Sequence, residues 1–160
     1  MKKTNTKNTI TNTPGVNKNL VEGAELLVRE IKAPADLLEF MFEGLYWLEE
    51  FEKELRRKPC TFSARGFFKE VLQPWVAGGK DVVEKIAMGL HELTDAIGSD
   101  GYDKFLSELI QAFGITQKQG FYVDDSDKYL NIIGTMLKLS PFIQSYEYDL
   151  SEQRKLSDAA

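Results

Sequence analysis

PADLLEFMFEGLYWLEEFEKELRRK, residues 34–58, is the stretch of sequence that decides the fold. Its first residue suits the start of a helix, because the backbone N–H that proline lacks has no partner in a first helical turn. Apolar side chains cover nearly the whole circumference over positions 37–48, which is typical of a helix buried on more than one side. The second half carries acid-first pairs four residues apart, which favour a helix that ends before Pro59.

The sequence on either side of this central helix predicts further helices and no strand, because apolar residues recur three and four positions apart and never alternate for long. Gly98 is expected to separate two helices, Pro74 to stop another, and Ser140 with Pro141 to begin the last. The prediction is an all-α, irregular bundle of six or seven helices with a flexible polar N-terminal arm. The predicted flanking helices cover 20–32, 61–72, 80–97, 99–114, 125–139 and 141–148.

Charge and composition divide the chain into an N-terminal arm at 1–19, a single α-helical domain at 20–150 and a polar tail at 151–160. The arm is rich in Thr and Asn and cannot bury enough apolar surface to order itself. Residues 1–18 contain four lysines and no acid, whereas the other 142 residues carry 16 basic and 25 acidic side chains, a net charge of −9. The arm is therefore a candidate tether to an acidic surface, through Lys2, Lys3, Lys7 and Lys18.

The composition excludes several classes of protein. A single cysteine, Cys60, precludes an intramolecular disulfide framework and indicates a reducing compartment, so a cytoplasmic location is expected, or a virion if the protein is viral. No apolar run approaches the length of a membrane span. Nucleic-acid binding requires Lys and Arg side chains that neutralise phosphates. An acidic domain repels phosphates instead, so no nucleic-acid partner is expected. A helix-turn-helix centred on Gly114 is also disfavoured, because Ile110 stands where a small residue is needed.

No catalytic, cofactor-binding or metal-binding constellation is predicted. The Gly78-Gly79-Lys80 turn lacks the spacing of a phosphate-binding loop. The only histidine, His91, is followed four residues later by Asp95 rather than by a second histidine, and no third metal ligand is indicated nearby. Neither a small-molecule ligand nor a cofactor is indicated. The sequence leaves two pairings open. Glu39 and Glu43, one turn apart, could place two carboxylates at a pocket. Cys60 and His91 could face a pocket as a nucleophile and its base.

Aromatic residues are the feature that points to a partner, because they dominate interface hot spots as well as cores. A partner-facing position and a central position within the chain account for them equally well. The predicted interface residues are Phe40, Phe42, Tyr46, Trp47, Phe51 and Trp75.

These observations favour a non-enzymatic protein–protein interaction or structural subunit of a larger assembly, which binds a protein partner or itself. Small acidic helical proteins with polar arms occur among phage virion components and assembly chaperones, and the comparison with them is by analogy only. One alternative is an acidic inhibitor or immunity-type protein that blocks a basic surface through the acids at 49–54 and 124–127. A second alternative is a small-ligand-binding helical domain or an enzyme, which would require a pocket enclosing Glu39 or His91.

Overall fold

A computed structural model describes residues 17–55 and 61–159, and within those ranges the chain is all-α, as predicted. No strand occurs in the described residues. Helix α4 is continuous from Thr61 to Ala77 but consists of three segments, Thr61–Phe67, Phe68–Leu72 and Gln73–Ala77. The other five helices of the described part are α1 (Lys18–Glu30), α2 (Pro34–Glu50), α3 (Glu52–Leu55), α5 (Val82–Lys118) and α6 (Ser126–Ala159).

The central helix begins as predicted and ends early. Pro34 is the first residue of α2. The helix ends at Glu50 because Phe51 leaves the helical conformation, with φ −103° and ψ 27°, while its ring is buried in the core. The short helix α3 resumes directly afterwards. The prediction of one uninterrupted helix over 34–58 is therefore wrong within the described residues.

The prediction that Pro74 stops a helix is also wrong, because α4 passes through it. The residues just before this proline form a wider π turn, Phe68–Leu72, in which the N–H of Gln73 donates to the carbonyl of Phe68. A proline removes one backbone donor and crowds the carbonyl four residues earlier. In the π turn the hydrogen bond joins residues five apart instead of four, and the helix continues through Pro74.

Helix α5 contains the predicted break. Gly98 has φ 71° and ψ 174°, so α5 consists of two helical parts that meet at this residue. The N–H of Ser99, freed by the break, donates to Oε2 of Glu147 on α6 at 3.0 Å. The predicted end at Gly114 is wrong, because α5 continues to Lys118.

Helix α6 is longer than predicted and contains Pro141 in its interior. The predicted boundary at Ser140 is wrong, since the Ser140 hydroxyl donates to Oδ1 of Asp103 on α5 at 2.6 Å instead of capping a new helix. Pro141 is exposed, so the hydrogen bond that it lacks is on the solvent side of the helix. The helix extends to Ala159, through the segment expected to be a tail, and residues 153–158 are exposed.

The core forms where α1 packs between α5 and α6 and where α2 crosses α5. Trp47 of α2 is at its centre, with ring centroids 5.3–5.9 Å from four other aromatic rings, those of Phe40, Phe113, Tyr122 and Tyr129. Three of these four ring pairs meet edge to face, a geometry that stabilises a core beyond the area that it buries. This cluster joins α2, α5 and α6 and leaves the opposite side of α2 facing α4.

Candidate protein-binding groove

An apolar groove lies between α2 and α4 and encloses a cavity of about 440 Å³. The two helices run antiparallel here. The ring centroids of Phe42 and Phe68 are 5.2 Å apart, and Glu49, later in α2 than Phe42, pairs with Arg65, earlier in α4 than Phe68. We call this site the α2/α4 groove. Its lining is almost entirely apolar and comprises Leu38, Phe42, Phe68, Leu72, Gln73, Val76 and Ala77.

Two aromatic side chains on successive turns of α2 are exposed, and one of them, Phe42, lines the groove. The Phe42 side chain is 55% exposed, and that of Tyr46, one turn further along, is 62% exposed. Val76 of α4 is also exposed on the opposite wall. Single exposed apolar residues are normal on a protein surface. Exposed apolar residues that adjoin one another beside an apolar cavity are instead a feature of interaction sites.

An ion pair bounds the groove at the Tyr46 end. Nη2 of Arg65 on α4 lies 2.7 Å from Oε1 of Glu49 on α2, and both side chains are largely exposed. An exposed pair of this kind contributes little to stability. Its position at the edge of an apolar surface gives the groove a polar rim, as in protein–protein interfaces.

The six residues predicted to form the interface separate into two groups. Phe42 is exposed at the groove and Tyr46 is exposed one turn further along α2, whereas the other four are buried within the chain: Phe40, Trp47, Phe51 and Trp75. The physical reason is that α2 is covered on more than one side, so most of its apolar circumference is core. These four residues belong to the core and present no ring to a partner in this structure.

The groove residues of α4 were not among the predicted interface residues. Phe68 and Leu72 lie within the helix predicted for 61–72, and Val76 lies beyond its predicted end, because Pro74 was expected to stop it. A signal was nevertheless present in α2. Leu38, Phe42 and Tyr46 are four residues apart and so share a face distinct from that of Leu37 and Met41, which are fully buried.

The carboxylates of Glu39 and Glu43 have separate partners. Oε1 of Glu39 accepts from Nζ of Lys128 at 2.8 Å and from the Tyr129 hydroxyl at 3.0 Å. The hydrogen bond from Lys128, followed by that from Tyr129, lowers the pKa of Glu39. Glu43 accepts from the Tyr122 hydroxyl, and burial together with this bond raises the pKa of Tyr122. The two carboxylates therefore connect α2 to the start of α6 and the loop before it.

His91 lines a cavity of about 520 Å³ with Glu70, Lys85, Glu92 and other residues of α4 and α5. Both of its ring nitrogens are engaged: Nδ1 by the Tyr146 hydroxyl and Nε2 by Oδ2 of Asp95 at 3.2 Å. Burial, followed by the charge of Asp95, raises the pKa of Tyr146 to about 12. Both ring nitrogens of His91 therefore have partners within the chain.

Several predicted residues fall outside this site. Lys18 is the first residue of α1, while Lys2, Lys3, Lys7 and Cys60 lie outside the described residues. Across 17–55 and 61–159, no group of three or more His, Cys, Asp or Glu side chains is arranged to hold a metal ion. In the same ranges, no helix has the length and apolar character needed to cross a membrane.

Comparisons of the chain with known protein families, with characterised proteins and with solved structures found no match. The function is therefore argued from the chain's own surfaces.

Proposed function

We propose that this chain is a non-enzymatic interaction subunit of a larger protein assembly and that the α2/α4 groove is where a partner protein binds. The observation that carries the proposal is an apolar cavity flanked by the exposed ring of Phe42. Removal of such a surface from water is the main source of affinity in protein association. By analogy with other small acidic helical proteins, the assembly would be cytoplasmic or a virion.

The groove is ordered before any partner arrives. The Phe42 ring packs on Phe68, and Leu72, which also lines the groove, is fully buried. An ordered site loses less conformational entropy on binding than a flexible surface. Phe42 is accordingly the residue that we expect to contribute most to affinity.

The shape of the site favours one apolar helix as the bound element. Along α4 the lining of the groove extends from Phe68 to Ala77, nine residues later, which spans about 14 Å, or two and a half helical turns. An amphipathic helix with apolar residues at positions i, i+4 and i+7 would present side chains along that length. Its polar side would lie near the Glu49–Arg65 ion pair.

The basic arm supplies a second contact in this proposal. Lys2, Lys3, Lys7 and Lys18 carry positive charge, whereas the remainder of the chain has a net charge of −9. Opposite charges accelerate encounter and orient partners more than they add affinity. We therefore expect the arm to tether neighbouring subunits and the groove to supply affinity.

Site-directed photo-crosslinking in the source cells tests the groove. A photoreactive phenylalanine analogue replaces Phe42, and a matched chain carries it at Ile110, which is exposed on α5. The expected result is one discrete adduct from position 42 that is absent from position 110. The captured protein is then purified and titrated against the unmodified chain and against Phe42→Lys, which should bind at least tenfold more weakly.

Equal adducts from the two positions, or a purified candidate that binds Phe42→Lys as well as the unmodified chain, would overturn the proposal. Val76→Lys, on the opposite wall of the groove, provides a second variant in case Phe42→Lys is poorly folded. Helical content, measured by circular dichroism, separates a folding defect from a binding defect.

One observation supports an acidic inhibitor as the second candidate. The carboxylates of Glu50, Glu52 and Glu54 are exposed, as are those of Asp124 and Asp127. A complex formed through these groups would weaken steeply with added salt, whereas binding through the apolar groove would change little. The salt dependence of the purified complex therefore distinguishes the two functions.

A further inference from the structure

Helix α1 lies antiparallel along one side of α6, and two contacts define how they are aligned. Near the start of α1, Nδ2 of Asn19 donates to Oδ2 of Asp149 at 2.8 Å. At the other end of α1, Nζ of Lys138 donates to Oε1 of Glu30 at 2.9 Å. Earlier residues of α1 therefore meet later residues of α6.

The side of α6 that faces α1 continues past the start of α1. Phe142 is on this side, because a Cβ added at Gly23 of α1 would lie 3.4 Å from its Cβ. Asp149 follows Phe142 by seven residues, and Leu156 follows Asp149 by seven. Seven residues make almost two full helical turns, so the three side chains share one face. Helix α1 begins at Lys18, beside Asp149, and beyond it Leu156 is 73% exposed.

The chain enters α1 beside this exposed face. Asn17 caps α1 with an extended backbone, φ −104° and ψ 146°, two residues before the contact with Asp149. Residues 1–16 precede it and would span about 50 Å if fully extended. Leu156 is only about 10 Å along α6 from Asp149. The preceding segment is therefore long enough to follow this face to the end of α6.

Charge favours the same contact. Residues 1–16 contain three lysines and no acid. Residues 147–158 of α6 carry four acidic and two basic side chains, a net charge of −2. Asp149 is bonded by the neutral amide of Asn19, a contact that leaves its negative charge available to a cation. Opposite charges attract within a Debye length, about 8 Å at physiological ionic strength.

We propose that residues 1–16 bind along the end of α6 in their own chain, residues 150–159, and cover Leu156. Ile10 and Val16 supply apolar side chains for Leu156, and the lysines lie near the acids of α6. Because the segment is joined to α1, its effective concentration at this face is in the millimolar range, well above that of a second copy in dilute solution. Contacts that are weak one by one therefore suffice.

This inference goes beyond the proposed function and does not depend on it. A neighbouring subunit and the end of α6 would bind the same lysines, so the two contacts exclude each other. In a free subunit the arm would lie on its own α6, and it would have to leave this face before it tethers a neighbour.

Disulfide formation within one chain tests the position of the segment, in a Cys60→Ser background that has no other cysteine. Thr13→Cys is combined with Gln153→Cys, which lies between Asp149 and Leu156 on the proposed face. The matched control combines Thr13→Cys with Ser151→Cys, which is also exposed but points about 200° around α6 from Asp149. In dilute protein, we expect the pair 13 and 153 to close about tenfold faster than the pair 13 and 151, because only the first is held close.

Cleavage by trypsin after Lys7 provides a second measurement, followed by mass spectrometry. Leu156→Lys removes the apolar contact and adds a like charge, so it should speed this cleavage about fivefold, because trypsin cuts the released segment. Ser151→Lys is the matched control, since it makes the same charge change on the opposite side of α6. Both positions are exposed, and circular dichroism establishes that each variant remains folded.

Equal closure of the two cysteine pairs would overturn the proposal, as would cleavage after Lys7 that Leu156→Lys and Ser151→Lys affect equally. Disulfides that join two chains through positions 13 and 153 would overturn it too, because they would show the segment of a second copy on this face. Faster closure at 153 together with faster cleavage in Leu156→Lys alone would establish the contact within one chain.

Discussion

The backbone carbonyl oxygen of Glu70 on α4 occupies the space into which any side chain at Gly89 of α5 would project. A Cβ placed on Gly89 would be 1.9 Å from that oxygen, far inside van der Waals contact. Pro74, four residues after Glu70, has no N–H to donate to the same oxygen, so the usual α-helical hydrogen bond is absent there. The π turn, Pro74 and Gly89 thus form one feature, which allows the backbones of α4 and α5 to approach each other closely.

Gly89→Ala should therefore destabilise the protein although alanine favours helices. We expect a loss of about 1–3 kcal/mol in the free energy of unfolding, because the added methyl group forces two helix backbones apart. Denaturant unfolding followed by circular dichroism measures the loss. Gly114→Ala is the control: it is also in α5, has no atom within 4 Å of the added Cβ, and should gain about 0.5–1 kcal/mol. Equal effects of the two substitutions would contradict the close approach.

Gly98→Ala should also destabilise the protein, for a conformational reason. Gly98 has φ 71° and ψ 174°, a backbone conformation that is nearly exclusive to glycine, and the added Cβ would lie 3.2 Å from Oε2 of Glu147. We expect a loss of about 1–3 kcal/mol, measured as above. Glu147→Ala should lose about 1 kcal/mol, since the N–H of Ser99 loses the acceptor that caps the second part of α5. A neutral effect of Gly98→Ala would mean that α5 can be a continuous helix.

Tyr122→Phe should lose about 1 kcal/mol, because its hydroxyl donates to Glu43 and connects the loop before α6 to α2. Tyr122 has φ 60°, an uncommon conformation for a large side chain, and its ring packs edge-on against Trp47 at 5.3 Å. Unfolding followed by tryptophan fluorescence measures the change. Tyr148→Phe is the matched control, since its exposed hydroxyl makes only a 3.4 Å bond within α6, and it should have no measurable effect. A similar loss in both variants would contradict a specific role for Tyr122.

Sequence patterns predicted the helical class, the start of α2 at Pro34 and the break at Gly98, because each depends on local backbone chemistry. They did not predict that Pro74 and Pro141 lie inside continuous helices. Proline terminates an isolated helix, but a π turn compensates for the first, and the exposed backbone of α6 accommodates the second. Both compensations depend on tertiary packing, which local patterns do not contain.

The interface itself stays a prediction, but the structure shows which of its residues are accessible. The aromatic content of α2 drew attention to Phe42 and Tyr46, and both side chains are exposed. Phe40 and Trp47 have the same composition signal but are buried in the core, because α5 and α6 cover that side of the helix. Composition shows which rings are available, and only the packing of neighbouring helices determines which side of α2 is exposed.

The contact between Glu39 and α6 should make stability depend on pH in the acid range. Hydrogen bonds from Lys128 and then Tyr129 lower the pKa of Glu39 below 4.5, its ordinary value. Because the folded state has the lower pKa, the carboxylate stabilises the protein fully above that ordinary value and loses its contribution as the pH falls through the folded pKa.

At pH 7, Glu39→Gln should lose about 0.5 kcal/mol, a small effect because the pair is exposed. The difference between Glu39→Gln and the unmodified chain should narrow as the pH falls below 4.5, measured by denaturant unfolding across that range. Glu54→Gln, an exposed carboxylate of α3, controls for the change in net charge. A difference that is constant with pH would mean that the contact stabilises the fold without the charge on Glu39.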